Sequence, residues 1–158
     1  MVMEPNGPQC TCGNHGCLEA ISSGQAIVTR CMEALAKGEA PILRSLCAKG
    51  EAPTMDQILQ AQEAGDPAVY LIVERAVYTL GVAIANIVNF TCLHSMLIDG
   101  ELFRSAANRQ QLLDVAHRNI CKSTRSDTSF IFVEPDRYSG AKGAAAVAIA
   151  HGLQSCVE

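Results

Sequence analysis

"CTCGNHGC", residues 10–17, places three cysteines and two glycines within eight residues. Zinc takes four tetrahedral ligands and soft thiolates suit it, so Cys10, Cys12 and Cys17 supply all but one ligand of a closed site. Gly13 and Gly16 allow the positive φ angles and close backbone approach that so short a loop demands. A redox-active cluster and buried free thiols are the alternatives, but three cysteines in a polar, glycine-containing loop favour a metal. His15 could be the fourth ligand only in a cramped geometry. A ligand outside this chain is preferred.

The residues around this loop suit a folded domain. The chain has 158 residues, 49% of them apolar, 18% charged and 4% aromatic, with no Trp. A chain of this length buries roughly 70% of the surface exposed by its unfolded form. Its core must come from Ala, Val, Ile and Leu. The formal net charge is −4 and the basic residues are scattered, without the concentrated footprint that nucleic-acid binding requires. No unbroken apolar run reaches the eighteen or so residues of a membrane span, and "MVMEPNGPQC" lacks the pattern of a signal peptide. The expectation is a cytoplasmic protein without membrane contact. Cys31, Cys47, Cys92, Cys121 and Cys156 stand far apart in mostly apolar surroundings, where they are expected to behave as small buried hydrophobes.

Downstream, "CLEAISSGQAIVTRCMEALAKGEAP" (17–41) reads as helix, broken at Ser22-Ser23-Gly24 and ended by Gly38 and Pro41. Residues 41–53 are ambiguous, with a short helix over "ILRSLCAKG". Thr54 and Gln57 have capping-box spacing. "DPAVYLIVERAVYTLGVAIANIVNFT" (66–91) predicts a long central helix, with Asp66 as cap and Pro67 in its first turn. Val69, Val73, Ala76, Val77, Leu80, Ile84, Ile87 and Val88 form its apolar face. Gly81 within it implies close approach by a neighbour. "LHSMLIDGEL" predicts a short buried strand and a turn at Asp99-Gly100, and "FRSAANRQQLLDVAHRNI" an amphipathic helix. "SFIFVEP" predicts a strand stopped by Pro135. "SGAKGAAAVAIAHGL" predicts a small-residue helix with Ser139 as its cap. This order argues for an α/β layer in the C-terminal half. His94, His117 and His151 have no partner at a spacing that suggests nucleophilic catalysis.

"EPNGPQCTCGNHGCLEAISSG" (4–24) resembles the zinc signature of the ROK family (repressors, open reading frames and sugar kinases), Cys-x-Cys-Gly-x-x-Gly-Cys-x-Glu, and matches it through Glu19. "AVYTLGVAIANIVNF" and "GAKGAAAVAIAHGL" resemble the family's long and closing helices, so the resemblance extends from about Glu4 to about Leu153. It implies an α/β fold, the C-terminal lobe of an actin-like ATPase (ribonuclease H-like) fold, helix-rich with a small sheet and a zinc-binding loop near its start. Residues 1–158 are then one domain, the C-terminal portion of a longer protein, with 1–22 as zinc loop and helix start and 54–158 as α/β core. The zinc is structural. Its fourth ligand would be a His upstream of Cys10, in a segment this chain does not contain. The phosphate-binding Asp-x-Gly turn and catalytic Asn-Asp pair of the kinases would also lie upstream. This chain is therefore not expected to be an enzyme by itself.

In the family, the residue corresponding to Glu19 accepts hydrogen bonds from sugar hydroxyls. Without the resemblance, Glu19 is a solvated acid favoured by the helix dipole. Kinases of the family carry a glycine pair or triplet where the backbone approaches ATP. Here the matching stretch is Asp99-Gly100-Glu101, whose carboxylates repel phosphates and which leaves less room for close approach. This departure resembles the repressor branch. The expectation is thus the sugar-sensing domain of a transcriptional regulator, reaching DNA only through an N-terminal domain outside this chain. A sugar or sugar phosphate is the expected ligand, with a dimer or tetramer as the assembly. The alternatives are the C-terminal half of an ATP-dependent hexose or N-acylhexosamine kinase, and a zinc-stabilised oligomerisation module.

Overall fold

A computed structural model describes residues 1–48, 50–122, 128–134, 136 and 138–154. The expected strand stop at Pro135 and the cysteine at 156 lie outside these residues, as do the side chains of Ser139 and His151.

The chain opens with a knotted loop, residues 1–17, followed by α1 (Leu18–Ser22). The expected break is present. Ser23 is extended (φ −69°, ψ 155°) and its Oγ accepts from the Ala26 N–H at 3.1 Å, capping α2 (Gly24–Lys37). Gly38 ends α2 in the left-handed conformation, φ 78°. The ambiguous stretch resolves into α3 (Pro41–Leu46), with Pro41 in its first turn. Both halves of the Thr54–Gln57 capping box form at the start of α4 (Met55–Glu63).

The long helix α5 (Pro67–Thr91) is the centre of the domain, with α1, α2, α4 and α6 (Ala106–Asn119) packed around it. Of its expected apolar face, Val69, Val73, Ala76, Val77, Ile84 and Val88 are buried, Leu80 is half-buried, and Ile87 is 36% exposed. By length and composition α5 could cross a membrane, although Glu74 and Arg75 interrupt the apolar run. Here it fills the core instead. Gly81 meets its expected neighbour, since a Cβ there would lie 2.8 Å from both Cβ and Cγ1 of Val115 on α6.

The C-terminal half is a β–α–β unit: β1 (Ser95–Ile98), α6 (Ala106–Asn119) and β2 (Ser129–Phe132). The strands are parallel and pair Met96 with Phe130, Leu97 with Ile131, and Ile98 with Phe132. The expectation of a buried strand needs correction. Side chains alternate across a sheet, so Met96, Ile98, Phe130 and Phe132 join the core while Leu97 and Ile131 point outward, 69% and 45% exposed. The expected helix over 103–120 also begins later. A 3₁₀ turn (Glu101–Arg104) comes first, and Ser105 then caps α6. Cysteine burial divides too. Cys31 is buried and Cys47 half-buried, but Cys92 and Cys121 are exposed because both sit at ends of segments rather than on core faces. The last helix, α7 (Ser139–Gln154), is exposed from Gly140 to Ile149.

Candidate metal loop and adjoining cleft

Residues 1–17 form their loop through backbone hydrogen bonds. Met3 and Glu4 donate to the Gly16 carbonyl at 2.8 and 3.1 Å, Gly16 donates to Pro8 at 2.8 Å, and Cys10 donates to Asn14 at 2.8 Å. Isolated bridges pair Val2 with Cys17 and Gln9 with His15. Gly16 has no substitute here. It has φ 63°, and an added Cβ would lie 1.4 Å from the Glu4 carbonyl oxygen. Gly13 (φ 91°) has open space around it, so its requirement is conformational alone.

This backbone brings the Cys10, Cys12 and Cys17 sulfurs within 4.8 Å of one another, close enough to bind a metal ion. The Cys12 and Cys17 sulfurs are 3.6 Å apart. Thiolates about 2.3 Å from a tetrahedral metal ion are separated by about 3.8 Å, so the separation of this one pair is one that such an ion can bridge. Cys10 and Cys17 are buried and Cys12 is exposed. A hydrogen bond from the Asn14 backbone, with those from Cys10 and Cys17, lowers the Cys12 thiol to about 7. Its hydrogen bond with Cys12, then burial and the Cys10 neighbour, raise the Cys17 thiol to about 11. One thiolate forms readily and discourages the next, a conflict that a bound dication removes. His15 stands outside the sulfur cluster, with Nδ1 3.4 Å from the Gly7 carbonyl.

Two neighbouring residues of α5 anchor this region. Arg75 forms a two-pronged ion pair with Glu4, its Nε 3.2 Å from Oε1. The Ser22 hydroxyl donates to the Ala76 carbonyl at 3.0 Å, and Ile21 is buried beside it. Loop and α1 are thus fixed to the core. Cys17 is the N-cap of α1, and Glu19 lies exposed in the first turn. Glu19 faces a cleft of about 420 Å³ between the loop and the outer side of α2, shared with Thr11, Gln25, Thr29, Arg30 and Glu33. The α2 residues follow helical spacing on a polar face, a pattern that helix–solvent periodicity alone accounts for. A second cleft, about 780 Å³, lies between residues 4–8, α2 and α5. Asp99, Gly100 and Glu101 line neither cleft. They follow β1, where Gly100 (φ 153°) turns the chain into the 3₁₀ segment and Glu101 reaches toward Arg104 at 3.9 Å.

A family model described as the ROK family matches residues 1–151. The chain belongs to the ROK family. It is 31% identical to a glucokinase of Thermotoga maritima over 105 residues, which cover 66% of this chain and 33% of the glucokinase. It is 32% identical to the DNA-binding transcriptional dual regulator NagC of Escherichia coli over 101 residues, 63% of this chain and 23% of that protein. Among solved structures, a ROK family transcriptional regulator, homologous to the E. coli MLC protein, superposes with a TM-score of 0.70 at 25% identity. That match covers 84% of this chain and 33% of the regulator. The ROK lobe described here thus spans about a third or less of these relatives, and they include both kinases and regulators.

Proposed function

We propose that this ROK chain is the sugar-sensing lobe of a transcriptional regulator. In this role Cys10, Cys12 and Cys17 hold a structural zinc, completed in the longer protein by a His upstream of Cys10. The observation that carries the proposal is the Asp99-Gly100-Glu101 corner after β1. Two carboxylates flank the only glycine there, where a nucleotide-binding corner needs phosphate-compatible charge and bare backbone. The zinc supplies rigidity rather than Lewis acidity, holding Cys17 and with it the first turn that presents Glu19. Glu19 accepts hydrogen bonds from a pair of sugar hydroxyls, a donor set that suits a carboxylate. Sugar binding then shifts the population of lobe arrangements and so biases a DNA-binding domain elsewhere in the protein, within a dimer or tetramer.

The glucokinase relative supports a second reading, the C-terminal half of an ATP-dependent hexose or N-acylhexosamine kinase. Calorimetric titration of the full-length protein with hexoses, N-acylhexosamines and their phosphates separates the two, run beside an ATP turnover assay. The regulator binds sugar without turnover, and Glu19→Gln weakens that binding by about 10- to 100-fold, the loss of one charge-assisted pair. Sustained sugar-dependent ATP consumption would sink the regulator reading.

A further inference from the structure

We propose that Arg30 is a second ligand-contacting residue of the Glu19 cleft, and that it selects sugars carrying an oxyanion over their neutral parents. The role deepens the sugar-sensing reading and rests on it. Among the described residues, the other arginines are satisfied within the chain. Arg75 and Arg104 pair with Glu4 and Asp56, while Arg44, Arg109 and Arg118 donate to the carbonyls of Leu35, Phe103 and Asp114. Arg30 differs. Its one hydrogen bond there, to the Ala20 carbonyl, is 3.5 Å long, and it forms no ion pair with any described carboxylate. A guanidinium carries five N–H donors in a planar fork, so most of this one is left for a ligand.

Position and charge give this fork its ligand. The bond to Ala20 sets the guanidinium one residue along from Glu19, so a donor fork and an acceptor carboxylate share one cleft. Arg30 is half-buried and also lines the second cleft. Burial, and then the like charge of Arg75, hold its pKa below that of a free guanidinium. Glu4 and Glu33 act the other way, but Glu4 is engaged by Arg75 and Glu33 is exposed, where salt screens it. The cation is therefore short of compensating charge, which an oxyanion supplies through two parallel N–H···O bonds. Glu19 takes the sugar hydroxyls beside it. A phosphate ester and a carboxylate share this chemistry; a neutral sugar offers the fork only hydroxyl oxygens.

The test titrates the full-length protein calorimetrically with hexoses and N-acylhexosamines, their primary phosphate esters, the matching uronic acids and inorganic phosphate. The expected result is that an anionic sugar binds about 10- to 100-fold more tightly than its neutral parent, the difference one charge-assisted pair makes. A phosphate ester ahead of its uronic acid, or the reverse, identifies which oxyanion the fork fits. Arg30→Gln brings the ratio of anionic to neutral affinity toward one. Arg30→Lys keeps the charge but loses the fork, and retains only part of the preference. Arg104→Gln, which removes an exposed arginine outside both clefts, keeps the wild-type ratio. Equal affinity for anionic and neutral sugars, or a preference that survives in Arg30→Gln, overturns the proposal and leaves the sugar role of Glu19 standing. Inorganic phosphate binding as tightly as the ester overturns it too. If no sugar binds in either form, the sugar-sensing reading falls and this proposal falls with it.

Discussion

The buried Asp66 carboxylate accepts the backbone N–H of Leu43 at 3.1 Å, across 23 residues of chain. The same oxygen, Oδ2, takes the Ile42 N–H at 2.9 Å, while Oδ1 takes those of Ala68 and Val69, both at 3.2 Å. One side chain therefore caps two helices, α3 and α5. Each N-cap contributes about 1–2 kcal/mol, so Asp66→Ala should lower stability by about 2–4 kcal/mol. Urea unfolding checks this. A loss below about 1 kcal/mol would mean that one of the caps contributes nothing.

Gly81→Ala is a contest of two terms. Replacing glycine within a helix gains up to about 1 kcal/mol, whereas overpacking costs about 1–3 kcal/mol. The contacts of 2.8 Å to Val115 lie at its rigid Cβ and Cγ1, so the clash should win. In a Val115→Ala background the same substitution should become close to neutral. Thermal unfolding of the four proteins in this cycle decides the matter.

The two loop glycines should differ in their effect on metal binding. Gly16→Ala drives a methyl group into the Glu4 carbonyl and should abolish metal retention. Gly13→Ala meets only backbone strain, about 1 kcal/mol, and should keep the metal with an affinity lowered by about tenfold or less. Elemental analysis and chelator competition would show the difference, and equal retention would contradict it.

Burial pushes the Cys31 thiol from an ordinary 9.0 up to about 12. The unfolded chain loses this proton at lower pH than the folded one, so ionisation favours unfolding. The contribution is complete below pH 9 and is lost as the pH rises toward 12. The stability gap between wild type and Cys31→Ala should therefore narrow over that range, by up to about 1.4 kcal/mol per pH unit. A constant gap would contradict it.

What was legible in the sequence were features set by nearby residues. Thr54 with Gln57, and Asp66 before Pro67, each mark a helix start because cap and amide are two or three positions apart. The spacing of Cys10, Cys12 and Cys17 likewise implied that their sulfurs meet. The less legible features depend on pairing over distance. Asp66 capping α3, Glu4 pairing with Arg75, and α2 walling the Glu19 cleft have no signature in any short window. The outward Leu97 misled for a different reason. An apolar run does not say which of its faces is covered.

The exposure of α7 has a thermodynamic consequence. Val147 and Ile149, 58% and 62% exposed, contribute little burial energy, so residues 140–149 draw their helicity from local terms, alanine propensity and the Lys142–Asp136 ion pair at the helix start. Sixteen residues are marginal for a helix without tertiary support. Amide hydrogens in α7 should exchange nearly as fast as those of a free peptide, while those of α5 wait for global opening. On that pattern the domain would pair a core that opens only as a whole with a final helix that opens on its own.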